Sequence, residues 1–304
     1  MEQNYKNVFS YLRQQGIEIS PELEKNIAAR LDEVLSYTPK IGVFGKTGSG
    51  KSSLCNALFG KDVCEISDVE ACTRNTQDVL IKLSDQGGIT LLDVPGVGEN
   101  SERDVEYGKL YAKLLPELDA VLWLIKADDR ALSSDEAFFK QLVKPHIAQH
   151  KPFFFVLSQS DKMDPIREWD DEKHEPGAKQ LQNIERKRGV LADFFGVPKS
   201  KVVAVSAEEK YNLVTLLNEI LYALPAERCI TYYSGLTEEF KNQVDHTYVK
   251  EATESVFEKI FDSIVDFVGE KIPVIVDGIY EVVKNVPVIG PVVSAVKGFF
   301  DLFS

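Results

Sequence analysis

The sequence predicts an α/β protein: a mostly parallel, doubly wound sheet of six strands, with helical segments at both ends of the chain. Three observations predict it. Between Pro39 and Pro225, short apolar runs alternate with helical stretches, and most runs are near-continuously hydrophobic, as strands buried on both faces must be. A glycine-rich turn joins the first run to the first helix. Outside those two prolines the strand–helix alternation is replaced by helical periodicity.

Along the chain, Ser20-Pro21-Glu22 is a helix start, with Ser20 as N-cap and Pro21 in the first turn. Leu23, Ile27, Leu31, Val34 and Leu35 follow at helical spacing, so residues 1–37 read as a helical segment. Residues 38–225 form the α/β domain, with expected strands at Ile41–Phe44, Val79–Leu83, Ile89–Leu92, Ala120–Ile125, Phe153–Leu157 and Val202–Val205. Residues 226–304 form a C-terminal helical region. There Thr237-Glu-Glu opens a helix whose apolar stripe recurs every fourth residue, from Phe240, Val244 and Tyr248 to Val268. A stripe this long needs a partner surface, and the N-terminal helix supplies one, giving an additional helical module built from both chain ends. The last stretch, 272–304, has Asn285–Val296 as its longest charge-free run. That run is shorter than the roughly 20 residues of a spanning helix. A hairpin packed on the protein is the preferred reading of this tail, with interfacial membrane contact or burial against a second copy as alternatives.

Composition excludes several classes. With 44% hydrophobic, 10% aromatic and 27% charged residues in 304, the chain is neither disordered nor low-complexity. A balance of 35 Lys+Arg against 48 Asp+Glu gives a net charge of −13, unsuited to coating nucleic acid or anionic lipid. Cys55, Cys64, Cys72 and Cys229 lack metal-ligand spacing and read as reduced thiols of a cytoplasmic protein. The N-terminus lacks the apolar core of a secretory signal. His146 and His150 share a helical face without an evident third ligand, and read as surface histidines.

The chemistry begins at Gly45-Lys46-Thr47-Gly48-Ser49-Gly50-Lys51-Ser52, which fits G-x-x-x-x-G-K-[ST] between a strand and the helix Ser53–Phe59. Its glycines let backbone N–H groups turn around a β-phosphate, and the helix N-terminus adds partial positive charge. Lys51 offers a point charge to the β- and γ-phosphates, and Ser52 a hydroxyl to Mg²⁺. Asp93-Val-Pro-Gly96 ends a strand, where the carboxylate can hold a Mg²⁺-bound water and the Gly96 N–H can meet a γ-phosphate. Ser158-Gln159-Ser160-Asp161-Lys162 empties from a buried strand at the place of a guanine-reading [NT]-K-x-D motif. An aspartate there accepts from guanine N1–H and N2–H₂ together, a donor pair that adenine lacks. Ser206-Ala207-Glu208 resembles the loop whose backbone meets the guanine O6.

On these four elements, in this order, residues 38–225 resemble the Era/EngA-like branch of the translation-factor-class P-loop GTPases. The string GKTGSGKSSLCNALFG, with Val69-Glu-Ala-Cys-Thr73-Arg74, looks most like the YfjP-like bacterial members. The resemblance implies GTP and GDP as ligands, Mg²⁺ as cofactor and hydrolysis of GTP to GDP and phosphate. It implies a switch threonine that completes the Mg²⁺ shell; Thr73, followed by Arg74, fits that pattern better than Thr76. Three departures stand out. Ser158 and Gln159 occupy the places of Asn and Lys, so the base is expected to be held less firmly. Gly48 stands where potassium-activated relatives carry Asn, so no strong K⁺ dependence is expected. Val97 follows the Asp-x-x-Gly motif where Ras-like enzymes carry the water-orienting Gln, so hydrolysis is expected to be slow alone. Arg74 and Arg103 are candidates to act across a homodimer at the nucleotide face, or are solvated arginines. The segment Lys162–Pro176 is either a partner surface or, preferably, a solvated insertion. A switch or assembling GTPase is the favoured role, ahead of a ribosome- or RNA-associated GTPase and a GTP-binding scaffold with negligible hydrolysis.

Overall fold

The computed structural model describes residues 40–46, 48–59, 77–84, 87–93, 115–130 and 152–252, with scattered positions within 20–29, 109–112, 132–140 and at 255. The helix start at Ser20 is among them: Pro21 and Glu22 are helical, and the Glu24 N–H donates to the Ser20 carbonyl at 3.0 Å. The expected partnership of 1–37 with the C-terminal stripe, the tail beyond residue 255, His146, His150, Cys64 and Cys72 lie outside the described residues.

Strand β1 (Lys40–Gly45) leads through the glycine-rich turn into helix α1 (Lys51–Phe59), and β2 (Gln77–Ser84) and β3 (Gly87–Asp93) follow. Next come β4 (Ala120–Lys126) and β5 (Phe153–Ser158), then a small hairpin of β6 (Trp169–Asp170) and β7 (Glu175–Pro176). Helix α2 (Ala178–Phe195), β8 (Val202–Ala204), α3 (Leu213–Ala223), α4 (Ala226–Gly235) and the short α5 (Glu238–Lys241) complete the labelled elements. The main sheet has six strands in the order β2-β3-β1-β4-β5-β8, and only β2 runs antiparallel to its neighbour. All six runs expected to be strands are strands in this sheet.

The near-continuous apolar runs have the predicted consequence of two buried faces. On one face Ile41, Val43, Leu122, Leu124, Phe154 and Val156 pack with Leu54 and Leu58 of α1 and with Leu216, Leu217 and Ile220 of α3. On the other, Phe44, Trp123, Phe155 and Leu157 pack with Ile184, Leu191 and Phe195 of α2. Each such side chain, fully buried, contributes about 1.5–3 kcal/mol of transfer free energy. Because β1 lies between β3 and β4, connections leave it toward opposite sides, and the carboxyl ends of β1, β3, β4 and β5 gather at one edge. That edge, at a reversal of strand order, is where open α/β sheets bind ligands.

Two features of the C-terminal part differ in form from the periodic pattern. The stripe from Thr237 is not one helix: α5 stops at Lys241, and helix resumes over residues 246–252. Asp245 supplies the restart, its Oδ1 accepting the Thr247 N–H at 2.8 Å and its own N–H donating to Asn218 Oδ1 at 2.8 Å. Four-residue spacing survived the break because Phe240, Val244 and Ala252 bury into the same core and Tyr248 packs against it. Packing also runs on across Pro225. Cys229, Tyr232, Tyr233 and Leu236 of α4 and its C-cap join the cluster formed by β1, β4, β5, α1 and α3.

Candidate functional site

The turn between β1 and α1 is shaped by its glycines. Gly45 has φ +140°, and a Cβ there would lie 2.5 Å from the Leu124 carbonyl oxygen and 2.8 Å from Ser49 Oγ, so only glycine lets β1 pass so close to β4. Gly48 and Gly50 also have positive φ, +76° and +87°. The Ser49 N–H closes the turn onto the Lys46 carbonyl at 3.1 Å, and the Leu54 N–H donates to the Gly50 carbonyl at 2.9 Å as α1 begins. The first N–H groups of α1 therefore belong to the turn, which is the arrangement that favours a bound phosphate. Lys51 folds back over the loop, its Nζ 3.2 Å from the Gly45 carbonyl and 3.3 Å from that of Lys46.

The two base-recognition segments sit beside this loop. The Ser158 hydroxyl, almost fully buried at the end of β5, donates to the Ser49 carbonyl at 2.7 Å. Gln159 adopts a left-handed backbone (φ 54°, ψ 42°), and its amide Nε2 donates to the Gly48 carbonyl at 3.0 Å. A left-handed non-glycine residue costs on the order of 1–3 kcal/mol and persists only where surroundings hold it. Thus the two departures from Asn-Lys still tie the base segment to the phosphate loop. Ser160 is buried, its N–H donating to the Val205 carbonyl at 3.1 Å, and Asp161 and Lys162 complete the same tight turn. The Gln180 amide of α2, with no solvent exposure, donates to the Asp161 carbonyl at 2.9 Å and that of Met163 at 2.8 Å. After β8, Ser206 pairs through its N–H with the Tyr211 carbonyl at 3.2 Å, and its Oγ accepts the Glu209 N–H at 3.2 Å. Ala207 and Glu208 lie in this closed loop, where Glu208 stands 3.7 Å from Lys162.

For a divalent cation, Ser52 lies in the first turn of α1 and Asp93 is the last residue of β3, in register with Val43 two residues before the glycine turn. A serine hydroxyl and an aspartate carboxylate are hard oxygen donors of the kind Mg²⁺ takes. The residues present therefore fit the group. Ser53 also belongs to the first turn of α1. Thr47, Thr73, Thr76, Arg74, Gly96, Val97 and Arg103 lie outside the described residues.

The Lys46 side chain of the P-loop is held by two carboxylates. Lys46 Nζ lies 2.9 Å from Asp129 Oδ2 and 2.8 Å from Asp135 Oδ2. Asp135 is fully buried, and its Oδ1 accepts the Trp123 indole N–H at 2.9 Å. Burial alone would lower the pKa of Lys46; the hydrogen bonds to Asp135 and Asp129, with their charges, overcome it and raise the pKa above 10.5. Lys187 of α2 donates to the Asp129 carbonyl, and burial lowers its own pKa against the pull of Asp129. Asp129 and Asp135 carry no motif signal. Neither do Gln180, Glu168, Tyr211 or His174, all of which shape the base side of the site; only the fold brings them there.

The insertion Lys162–Pro176 is exposed along much of its length, yet it is anchored. Glu168 Oε2 accepts the N–H groups of Lys179 at 2.9 Å and Gln180 at 3.2 Å, capping α2 in place of a side chain at Gly177. Asn183 Nδ2 donates to the Asp164 carbonyl at 2.8 Å.

Known proteins resemble this chain over most of its length. Residues 40–159 match the family described as "50S ribosome-binding GTPase". The uncharacterized protein YkfA of Escherichia coli K12 is 38% identical, over 95% of this chain and 96% of YkfA. YfjP of the same strain is 37% identical, over 92% of this chain and 93% of YfjP. GTPase Era of Aquifex aeolicus is 27% identical, over 61% of this chain and 56% of Era. Among solved structures, Era in complex with MgGDPNP and 16S ribosomal RNA nucleotides aligns at 26% identity and a TM-score of 0.48, covering 62% of this chain and 57% of that one. The chain belongs to the Era/Der-like P-loop GTPases, in the group that includes YfjP and YkfA, and is a GTP-binding protein of that type.

Proposed function

We propose that this protein is a nucleotide-dependent switch that binds GTP with Mg²⁺, hydrolyses it slowly alone, and passes its nucleotide state to helices at the ends of the chain. The observation that carries the reading is the pair of bonds from Ser158 and Gln159 to the carbonyls of Ser49 and Gly48. They make the base segment and the phosphate loop one cleft, with Asp161 at one end and Lys51 at the other. In it, Lys51 and the loop N–H groups bind the phosphates and stabilise charge on the transferring phosphoryl group. Asp161 accepts from the guanine edge, while Ser206, Ala207 and Glu208 line its carbonyl side. Ser52, Asp93 and Thr73 would hold Mg²⁺, which would supply neutralisation of the phosphate charge. Gly96 would offer its N–H to the γ-phosphate and the Thr73 backbone would orient water. Val97 cannot orient that water through a side-chain amide, which supports a slow intrinsic rate. Acceleration would then come from a second chain, with Arg74 or Arg103 as donors across a homodimer; such a finger is worth roughly 10³–10⁵ in kcat.

Calorimetric titration of GDP, GTP and ADP, with and without Mg²⁺, tests the reading. Lys51→Ala and Asp161→Asn should each weaken GDP binding, and equal affinity for ADP in the unsubstituted protein would overturn the guanine assignment. Turnover per chain should rise with protein concentration; a flat value across a hundredfold range removes the homodimer.

The matched family is described as ribosome-binding, so a ribosome-associated role is the second reading. Against it, residues 226–304 hold 13 acidic and 7 basic side chains, a poor surface for phosphate contacts. Co-sedimentation with ribosomes at physiological salt decides between the two. Membrane contact by the tail is the weaker option, because its longest charge-free run, Asn285–Val296, is shorter than the roughly 20 residues of a spanning helix.

A further inference from the structure

We propose that the hairpin inserted between Asp161 and α2 is a brace for base recognition, acting through Trp169 and His174 on the loop that carries Ser206–Glu208. The inference rests on the guanine reading above and assigns that site its positioning residues. Two contacts cross from the hairpin to the loop. The Trp169 ring meets Tyr211 edge-to-face, with centroids 5.6 Å apart at 84°. The His174 Nδ1–H donates to Glu209 Oε2 at 2.6 Å, since an ionised carboxylate only accepts. Both receiving residues close the loop themselves, Tyr211 through its carbonyl to the Ser206 N–H and Glu209 through its N–H to Ser206 Oγ. The Ser206–Glu208 segment therefore has its two ends pinned from outside by the insertion.

The same insertion is fixed on its other side to the turn that presents Asp161. Glu168, directly before Trp169, accepts the Gln180 N–H, and the Gln180 side chain holds the Asp161 and Met163 carbonyls. One rigid piece thus sets the spacing between the carboxylate that reads the guanine donors and the backbone that meets its O6. The arrangement carries a cost: the Trp169 indole N–H is buried and finds no acceptor among the described residues. A buried donor without a partner needs an explanation, and the ring contact with Tyr211 supplies one. Ser158 and Gln159, with the phosphate loop, lie on the other side of the base segment, so the brace acts on the base end of the cleft and leaves the phosphate end alone.

The test is calorimetric titration of the full chain with GDP and with ADP, together with kcat at saturating GTP, for Trp169→Ala, Trp169→Phe and His174→Ala. Loss of the brace should raise the GDP Kd about tenfold in Trp169→Ala and about threefold in His174→Ala. The ADP Kd and kcat should stay within twofold, so the preference for GDP over ADP narrows by the same factors. Trp169→Phe keeps an aromatic edge and should recover most of the preference. His174 is exposed, so its variant remains informative if the tryptophan variant fails to fold. Equal weakening toward GDP and ADP, or unchanged GDP affinity in folded His174→Ala, overturns the brace and leaves the guanine reading intact. Absence of any GDP preference in the unsubstituted protein overturns both.

Discussion

Replacing Lys46 by methionine keeps an apolar stem of similar length and removes the ammonium that two aspartates share. Asp135, with no exposed side-chain surface, would then keep only the Trp123 indole N–H among the described residues, and Asp129 would stand near it as a second carboxylate. Breaking a buried ion pair from one side costs about 3–5 kcal/mol. Lys46 and Asp129 retain 23% and 19% of their side-chain exposure, so water recovers part of that, and the expected loss is about 2–3 kcal/mol. In equilibrium terms this is roughly 30- to 150-fold toward unfolding. Because the Lys46 pKa is raised in the fold, its contribution is complete below the ordinary value of 10.5 and is lost only at higher pH. Measurement at neutral pH therefore reads the whole effect. The assay is urea unfolding of Lys46→Met, Asp135→Asn and the double variant. An asparagine at 135 still accepts from Trp123 and carries no orphaned charge, so the double variant should be more stable than the summed single losses by about 1 kcal/mol or more. A Lys46→Met loss under about 0.5 kcal/mol, or strict additivity, refutes the argument that the second P-loop residue serves as an anchor.

Gly45→Ala should abolish measurable nucleotide binding, because its Cβ would press on the Leu124 carbonyl; calorimetry that finds GDP affinity unchanged contradicts the close approach of β1 and β4. Burial pushes the Cys229 thiol up to about 12 from 9.0, so it should resist a thiol reagent at pH 8 until the protein unfolds. The same shift has a stability sign: the unfolded thiol ionises first, so unfolding free energy should hold below pH 9 and fall between 9 and 12. Urea midpoints measured across that range check it. Glu168→Ala removes the carboxylate that caps Lys179 and Gln180, and should lower stability by about 1 kcal/mol in thermal unfolding.

The sheet was legible because burial on both faces leaves a direct trace. Ala120–Ile125 and Phe153–Leu157 are unbroken apolar runs, and the strands there are Ala120–Lys126 and Phe153–Ser158. The phosphate loop was legible because its glycines answer to backbone geometry that no other residue meets. Less was legible where function depends on distant contacts. Lys46 and Asp129 are 83 residues apart, and nothing in either neighbourhood marks the other. The same holds for Gln180, whose polar side chain reads as one more exposed helix position yet is wholly buried under the Asp161 turn. The break before Asp245 was hidden for the opposite reason. Apolar spacing reports which residues face the core and is blind to whether one helix or two deliver them there.

Continuity of packing across Pro225 bears on how this GTPase can be divided. The motif-bearing segment ends before α4, yet Cys229, Tyr232 and Leu236 cover the same layer that supports β1 and α1. Arg228 of α4 also pairs with the buried Asp119, whose carboxylate accepts the Lys40 N–H at the opposite end of β1 from the phosphate loop. A chain cut at Pro225 would bare the apolar underside of its own P-loop strand and strand a buried acid. The smallest autonomous nucleotide-binding unit is therefore expected to extend past Pro225, through α4 and the buried Phe240, Val244, Val249 and Ala252.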